Sequence, residues 1–292
     1  MTAVDMSEVL QDCMIRVVIS MTADSGLQPD QRADQWDGHV SVYEEVFEPF
    51  TLGFADAAIR SLAPAQGARI IDVGAGAGGA ALELARRGAF VVAVDAAAKM
   101  VARSLERAHA AGLPLEAQVM DGTCLAFADG SFDAGLSIFG VILFPDAVAG
   151  LKELARVVRP GGRIALVTWT EPQSYELAAG LRASAEAILG ARPLGTLPAQ
   201  LRFTDLSQFR KLFEAAGLAD VETLTLRADL RAPSADWLVA RLAFAPGMAA
   251  LLASFGEARK DILDHFRTQL EKRFGDKEIV LGGVAALGVG TR

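Results

Sequence analysis

Between Arg69 and Trp169, short apolar runs alternate with stretches in which apolar residues recur every three or four positions. The runs cover 69–73, 90–94, 115–120, 132–139 and 163–169, and the helical stretches cover 79–87, 97–111 and 146–158. Strands alternating with helices in this way predict a parallel sheet with helices on both faces. Right-handed crossovers then place a ligand beyond the carboxyl ends of the strands. Asp72, Asp95, Asp121 and the Ser137–Gly140 segment all fall at such ends. Ahead of this unit, periodicity predicts helices near Ser7–Met21 and Val40–Ser61, punctuated by Pro29 and Pro49. Behind it come a helix over 174–189, a Pro/Gly-rich stretch through Pro198, and a helix from Thr204 to Gly217. A strand follows over Ala219–Leu226. Residues 233–274 then read as helical with an interruption at Pro246, and Ile279–Gly290 reads as a last β-like run.

The chemistry concentrates at Arg69–Gly79, where an apolar strand ends in Asp72 and Gly74, Gly76 and Gly78 follow at every second position. A strand, a tight Gly-rich turn and a helix N-terminus let backbone N–H groups approach a ligand closely. Gly74, Gly76 and Gly79 also satisfy G-x-G-x-x-G, and Asp95 ends the next strand at the spacing of a ribose-binding acid, so a dinucleotide is one reading. Asp72 separates the readings. A carboxylate two residues before the first glycine is poorly suited to a pyrophosphate and suits a ligand with a cationic amino-acid end. The competing role for Asp72 is structural, accepting backbone N–H bonds to cap the turn.

The D-x-G-x-G-x-G pattern resembles motif I of the class I S-adenosylmethionine-dependent methyltransferases. Three further segments resemble that family in the same order. They are Val119-Met120-Asp121-Gly122, Phe127–Asp133, and Glu153–Arg163 with its Arg-Pro-Gly-Gly turn before the strand Ile164–Trp169. The resemblance implies an α/β fold with a Rossmann-like seven-stranded, mostly parallel sheet. Strand seven would be antiparallel and lie between strands five and six. Residues 1–66 would be a helical leader lying over the cofactor as a lid, 67–226 the cofactor-binding core, 227–276 a helical insertion near the substrate mouth, and 277–292 the final core strand. The cofactor implied is S-adenosyl-L-methionine, and the activity is methyl transfer to O, C or N of a small-molecule acceptor.

The resemblance also implies roles. Asp72 would face the amino-acid end of the cofactor. Gly74, Gly76 and Gly78 would leave room for it, since a Cβ there would occupy cofactor space. Asp95 would accept both ribose hydroxyls, Asp121 the adenine amino group, and the Gly122 N–H would bond a ring nitrogen. Met100 would pack on adenine, with plain core as its competing role. Tyr43 loosely matches a leader tyrosine that touches the cofactor, and Ser137 lies where strand four ends at the site. An N-P-P-Y type amide-nitrogen signature should follow strand four in some relatives. Ser137-Ile138-Phe139-Gly140 stands there instead, which disfavours methylation of amides and exocyclic base nitrogens. An NAD(P)-linked oxidoreductase and a non-catalytic cofactor-binding regulator or scaffold remain as alternatives.

Composition narrows the field further. The 292 residues are 52% hydrophobic and 22% charged, with net charge −8, so a uniformly basic nucleic-acid footprint is absent. The longest charge-free run, Leu242–Gly256, has 15 residues, short of the ~20 that span a bilayer. Asp5, Glu8 and Asp12 stand where an export signal would be basic, so a cytoplasmic protein is expected. Two cysteines make neither a disulfide framework nor a four-cysteine zinc site, and no metal-ligand spacing is present. Of the three histidines, His39 is the candidate general base. It lies between Trp36 and Tyr43, and its spacing to Tyr43 shares a face if the stretch is helical. A core or capping histidine is the competing reading.

Overall fold

The computed structural model describes residues 26–170, 174–190 and 201–292. The expected helix Ser7–Met21 and the Pro/Gly-rich stretch after residue 190 lie outside them. Chain order is α1 (Ala33–Asp37), α2 (Glu48–Leu62), β1 (Arg69–Val73), α3 (Gly79–Arg86), β2 (Phe90–Asp95), α4 (Ala98–Ala111), β3 (Leu115–Val119) and β4 (Phe132–Ile138). Then follow α5 (Ala147–Val157), β5 (Val158–Trp169), α6 (Glu176–Leu189), α7 (Leu206–Ala215), β6 (Ala219–Ala232), α8 (Ala235–Ala240), α9 (Pro246–Ser254), α10 (Arg259–Phe274) and β7 (Ile279–Thr291). The strands form one sheet in the order β3-β2-β1-β4-β5-β7-β6. β7 runs antiparallel to both β5 and β6, and the pairs among the first five strands are parallel. The order reverses between β1 and β4, and that switch point opens the crevice a ligand enters.

Burial on both faces explains the unbroken apolar strands. One face packs Phe50, Phe54 and Ile59 of α2 and Leu84 of α3 with Leu177 and Leu181 of α6 and Phe266 of α10. The other packs Leu151 and Leu154 of α5 with Phe209 and Phe213 of α7. α2 crosses β6 so closely that a Cβ on Gly53 would fall 2.6 Å from the Cβ of Ala228.

Three expectations change. β6 continues to Ala232, because β7 residues 279–284 extend past Trp169 and pair with β6 alone. The interval 227–276 therefore opens as strand, projecting a two-stranded ribbon beyond the sheet edge. The helical stretch 233–274 is three helices. Ser234 caps the first by accepting the Trp237 N–H, and Pro246 opens the second in its first turn, where its missing N–H costs nothing. β5 begins at Val158, because Gly161 (φ 77°) donates its N–H to Arg292 O at 2.7 Å and Gly162 O accepts the Arg292 N–H at 3.0 Å.

The leader is also more segmented than periodicity predicts. A helical turn, Val40–Val42, passes into a wider π turn, Tyr43–Phe47, before α2. There the Glu48 N–H reaches back to Tyr43 O. Pro49 supplies the cause, since it has no N–H to offer an α-helical ladder and its ring crowds the carbonyl four residues earlier.

Candidate functional site

Gly74, Gly76 and Gly78 all hold positive φ (70°, 56° and 83°), conformations an L side chain rarely adopts. Gly74 and Ala75 donate their N–H groups to Val94 O at 2.8 and 3.1 Å, stitching the turn to β2. The expected reason for these glycines needs correction at Gly74 and Gly78, where protein fills the space the glycine lacks. A Cβ on Gly74 would lie 2.7 Å from the Gly140 Cα, one on Gly76 would touch the Tyr43 ring, and one on Gly78 would collide with Ser104.

Asp72 is 1% exposed, and neither carboxylate oxygen has a hydrogen-bond partner among the described residues. The turn-capping role is therefore not what this side chain performs. Burial first, and the nearby Asp95 charge second, push its carboxyl up to about 7. Asp95 is satisfied differently. Its Oδ2 accepts the Gly76 N–H at 2.8 Å and its Oδ1 the Ala97 N–H at 2.9 Å. Burial raises its pKa and these N–H bonds pull against that. Each oxygen keeps a further lone pair for a ligand hydroxyl.

Glu48 and Arg107 complete the site, and sequence reasoning missed both. Glu48 is 4% exposed. Its Oε1 accepts the Gly79 N–H at 3.1 Å, at the N-terminus of α3, and Arg107 Nη1 bonds both its oxygens at 2.8 and 2.7 Å. One helical turn earlier, Glu44 receives Arg103 through two bonds of 2.6 and 2.8 Å. Glu44/Glu48 and Arg103/Arg107 share the same i,i+4 spacing, the one signal that could have paired them. Asp37 likewise accepts the Lys99 N–H at 2.7 Å at the start of α4. Carboxylates from the leader thus occupy the N-termini of both helices that follow β1 and β2.

A small cleft lies among Tyr43, Glu48, Asp72, Gly74, Gly79 and Ile138. Tyr43 sits over Gly76, and burial beside Glu48, Asp95 and Asp72 raises its phenol pKa further. Met100 is buried with Ala77 and Ala97 and packs against Trp36, Val40 and Tyr43. Other expected residues lie outside the cleft's lining. Ser137 donates its hydroxyl to Val73 O at 2.6 Å and accepts the Val141 N–H, fastening β4 to β1. Asp121 Oδ1 accepts from the Thr123 N–H and hydroxyl at 2.8 and 2.7 Å, while Gly122 lies against Phe144 and Val73. His39 sits at a helix junction with Nδ1 2.6 Å from Gln35 O, and it does not line the cleft. Among the described residues no His, Cys, Asp and Glu group is placed to hold a metal.

Beside the cleft, at the sheet edge, aromatic rings stack. Phe139 follows β4 with φ 59°, and its ring lies 4.1 Å from that of Trp169. Trp169 and Phe50 both stack on Tyr175 at 5.4 Å. The Tyr175 hydroxyl is buried and has no partner among the described residues. Phe47 of the leader stacks on Phe244 at 4.7 Å.

This charge arrangement opposes a dinucleotide. Its pyrophosphate, brought to the N-terminus of α3, would meet the buried, unpaired carboxylate of Asp72 in the same cleft. An orphaned carboxylate in a polar cleft instead fits the ammonium of an amino-acid-bearing nucleoside. Comparison with known proteins agrees. Residues 71–166 match the family model described as a methyltransferase domain. An uncharacterised protein of Mycobacterium tuberculosis is 41% identical over 127 residues, 44% of this chain and 45% of that one. A demethylmenaquinone methyltransferase of Corynebacterium kroppenstedtii is 40% identical over 113 residues, 39% of this chain and 47% of the relative. The chain thus spans about half the length of the curated relatives it matches. Phosphoethanolamine N-methyltransferase 2 of Haemonchus contortus, solved with S-adenosyl-L-methionine, shares the fold. Its TM-score is 0.54 and its identity 19%, covering 88% of this chain and 57% of that one. Residues 71–166 thus form a methyltransferase domain, on the fold of the class I S-adenosylmethionine-dependent enzymes.

Proposed function

We propose that this protein methylates a small planar, largely apolar acceptor using S-adenosylmethionine. The observation that carries the reading is the unpartnered, buried carboxylate of Asp72 in a cleft formed by the Gly-rich turn. When bound, the cofactor supplies an electrophilic methyl group on a sulfonium sulfur. Asp72 would hold its ammonium group, Asp95 the ribose hydroxyls through its spare lone pairs, and Asp121 with the Gly122 N–H the adenine edge. Tyr43 and Met100 would close over the nucleoside from the leader side. Ser137 serves this site indirectly, by fixing the carboxyl end of β4 against β1.

The acceptor side rests on the stacked rings of Phe139, Trp169, Tyr175 and Phe50, which lie against one another in the core next to the cleft residue Ile138 and carry one unpaired hydroxyl. A phenolic or quinol ring suits such a wall, because offset stacking and a single hydrogen bond would orient it. Alignment of nucleophile and methyl group supplies much of the acceleration in such a displacement. His39, turned to the Gln35 carbonyl and away from the cleft lining, is assigned no step.

The test is a transfer assay with methyl-labelled S-adenosylmethionine against matched panels of phenols, quinols and aliphatic amines. Label is expected in ring-bearing acceptors, and Tyr175→Phe should raise KM for them while leaving cofactor affinity unchanged. Transfer confined to the amines would overturn the acceptor reading.

A further inference from the structure

We propose, resting on the reading that the cleft takes S-adenosylmethionine, that Glu48 is a built-in stand-in for the carboxylate of the cofactor. It holds the Gly79 N–H and Arg107 until the amino-acid end of the cofactor displaces it. A zwitterionic amino-acid tail needs an anion for its ammonium and a donor set for its carboxylate. The anion and the Gly79 end of the donor set line the cleft, and Arg107 reaches it behind Glu48. The anion is Asp72, 1% exposed and unpartnered. The donor set is the Gly79 N–H with the Arg107 guanidinium, and Glu48 now occupies it.

Several features show how closely the carboxylate of Glu48 is seated. A Cβ on Gly79 would lie 2.7 Å from Glu48 Oε1, so glycine at this position lets the carboxylate lie flush on the helix end. α3 has no side-chain cap of its own, since Gly78 is its N-cap, and Glu48 supplies the missing acceptor from another segment. Arg107 Nη1 also donates to Ala77 O at 2.8 Å, which keeps the guanidinium beside the turn when its partner changes. Glu48 opens α2 directly after the π turn of the leader. Exchange of one carboxylate for another leaves Arg107 and the helix end satisfied in both states. It therefore avoids an unpaired buried charge.

The consequence is a competition confined to ligands that carry the amino-acid tail. The full chain is titrated calorimetrically with S-adenosylhomocysteine and with 5′-methylthioadenosine, which has the same nucleoside and no tail. Glu48→Gln is expected to tighten S-adenosylhomocysteine about tenfold and leave methylthioadenosine within about twofold, the scale of one charged hydrogen bond. Arg107→Lys, which keeps the charge and loses the two-bonded geometry, is expected to weaken S-adenosylhomocysteine several-fold, again sparing methylthioadenosine. It carries the test if Glu48→Gln fails to fold. Equal shifts for the two nucleosides, or weaker S-adenosylhomocysteine binding by Glu48→Gln, would make Glu48 a structural latch and overturn the proposal. Failure of the unaltered chain to bind either nucleoside would remove the cofactor reading itself, and the proposal with it.

Discussion

At the scale of single residues, Asp72 is costly to the fold and informative about the site. A buried carboxylate without partners is retained against stability, because its charged form loses hydration and gains nothing in return. Its pKa is raised to about 7, above the unfolded value near 3.9. The contribution of the neutral form to stability is thus fully present below about pH 4 and lost as pH rises through about 7. Asp72→Asn should consequently equal the parent in ligand-free stability near pH 4 and exceed it by on the order of a few kcal/mol at pH 8. Urea midpoints across that range would show it, and a pH-independent difference would contradict the burial argument. Gly74 makes the opposite case. With φ 70° and the Gly140 Cα 2.7 Å from its absent Cβ, Gly74→Ala should destabilise the fold by roughly 2–4 kcal/mol. The glycine motif was legible in the sequence, but the reason for it was not. Pattern shows that a side chain is missing, and only the packed structure shows that Gly140 and Ser104 take the space beside Gly74 and Gly78.

At the scale of elements, the leader is anchored on two sides. Arg103 and Arg107 of α4 hold Glu44 and Glu48 on one side. On the other, buried Asp30 accepts the Gly247 N–H at 2.7 Å, Arg241 pairs with Glu45 at 2.9 Å, and Phe47 stacks on Phe244. A Cβ on Gly247 would collide with the Asp30 carboxylate. Gly247→Ala is therefore expected to speed amide hydrogen exchange over residues 33–62 while β1 and β2 keep their protection. Uniform protection across leader and sheet in that variant would show that the second anchor is not needed. Strand and helix positions from Arg69 to Trp169 were readable because apolar runs and helical periodicity are local signals. The ribbon at 227–232 was not, because Ala228 and Leu230 become strand through pairing with Gly283 and Leu281, more than fifty residues away. The π turn at Tyr43–Phe47 escaped for a similar reason, since periodicity averages over the single extra residue that Pro49 imposes.

At the scale of the whole molecule, the sheet order puts the Gly-rich turn, Asp95 and the aromatic wall around the crevice where the order reverses. Four ordered motifs sufficed to expect that arrangement, including the antiparallel β7 between β5 and β6. What they could not convey was charge pairing across segments. Glu48 and Arg107 stand 59 residues apart, and only the fold sets one against the other. No helix among the described residues is long and apolar enough to cross a membrane, and the cleft is the feature from which activity is argued. The central claim is that this cleft takes an adenosyl amino acid and refuses a dinucleotide. The most direct measurement is calorimetric titration of the full chain with S-adenosylhomocysteine and with NAD(H), repeated on Asp95→Ala. Saturable binding of S-adenosylhomocysteine, weakened at least tenfold by loss of one charged partner, with no heat from NAD(H), is the predicted result. Saturable NAD(H) binding with no response to S-adenosylhomocysteine would contradict it.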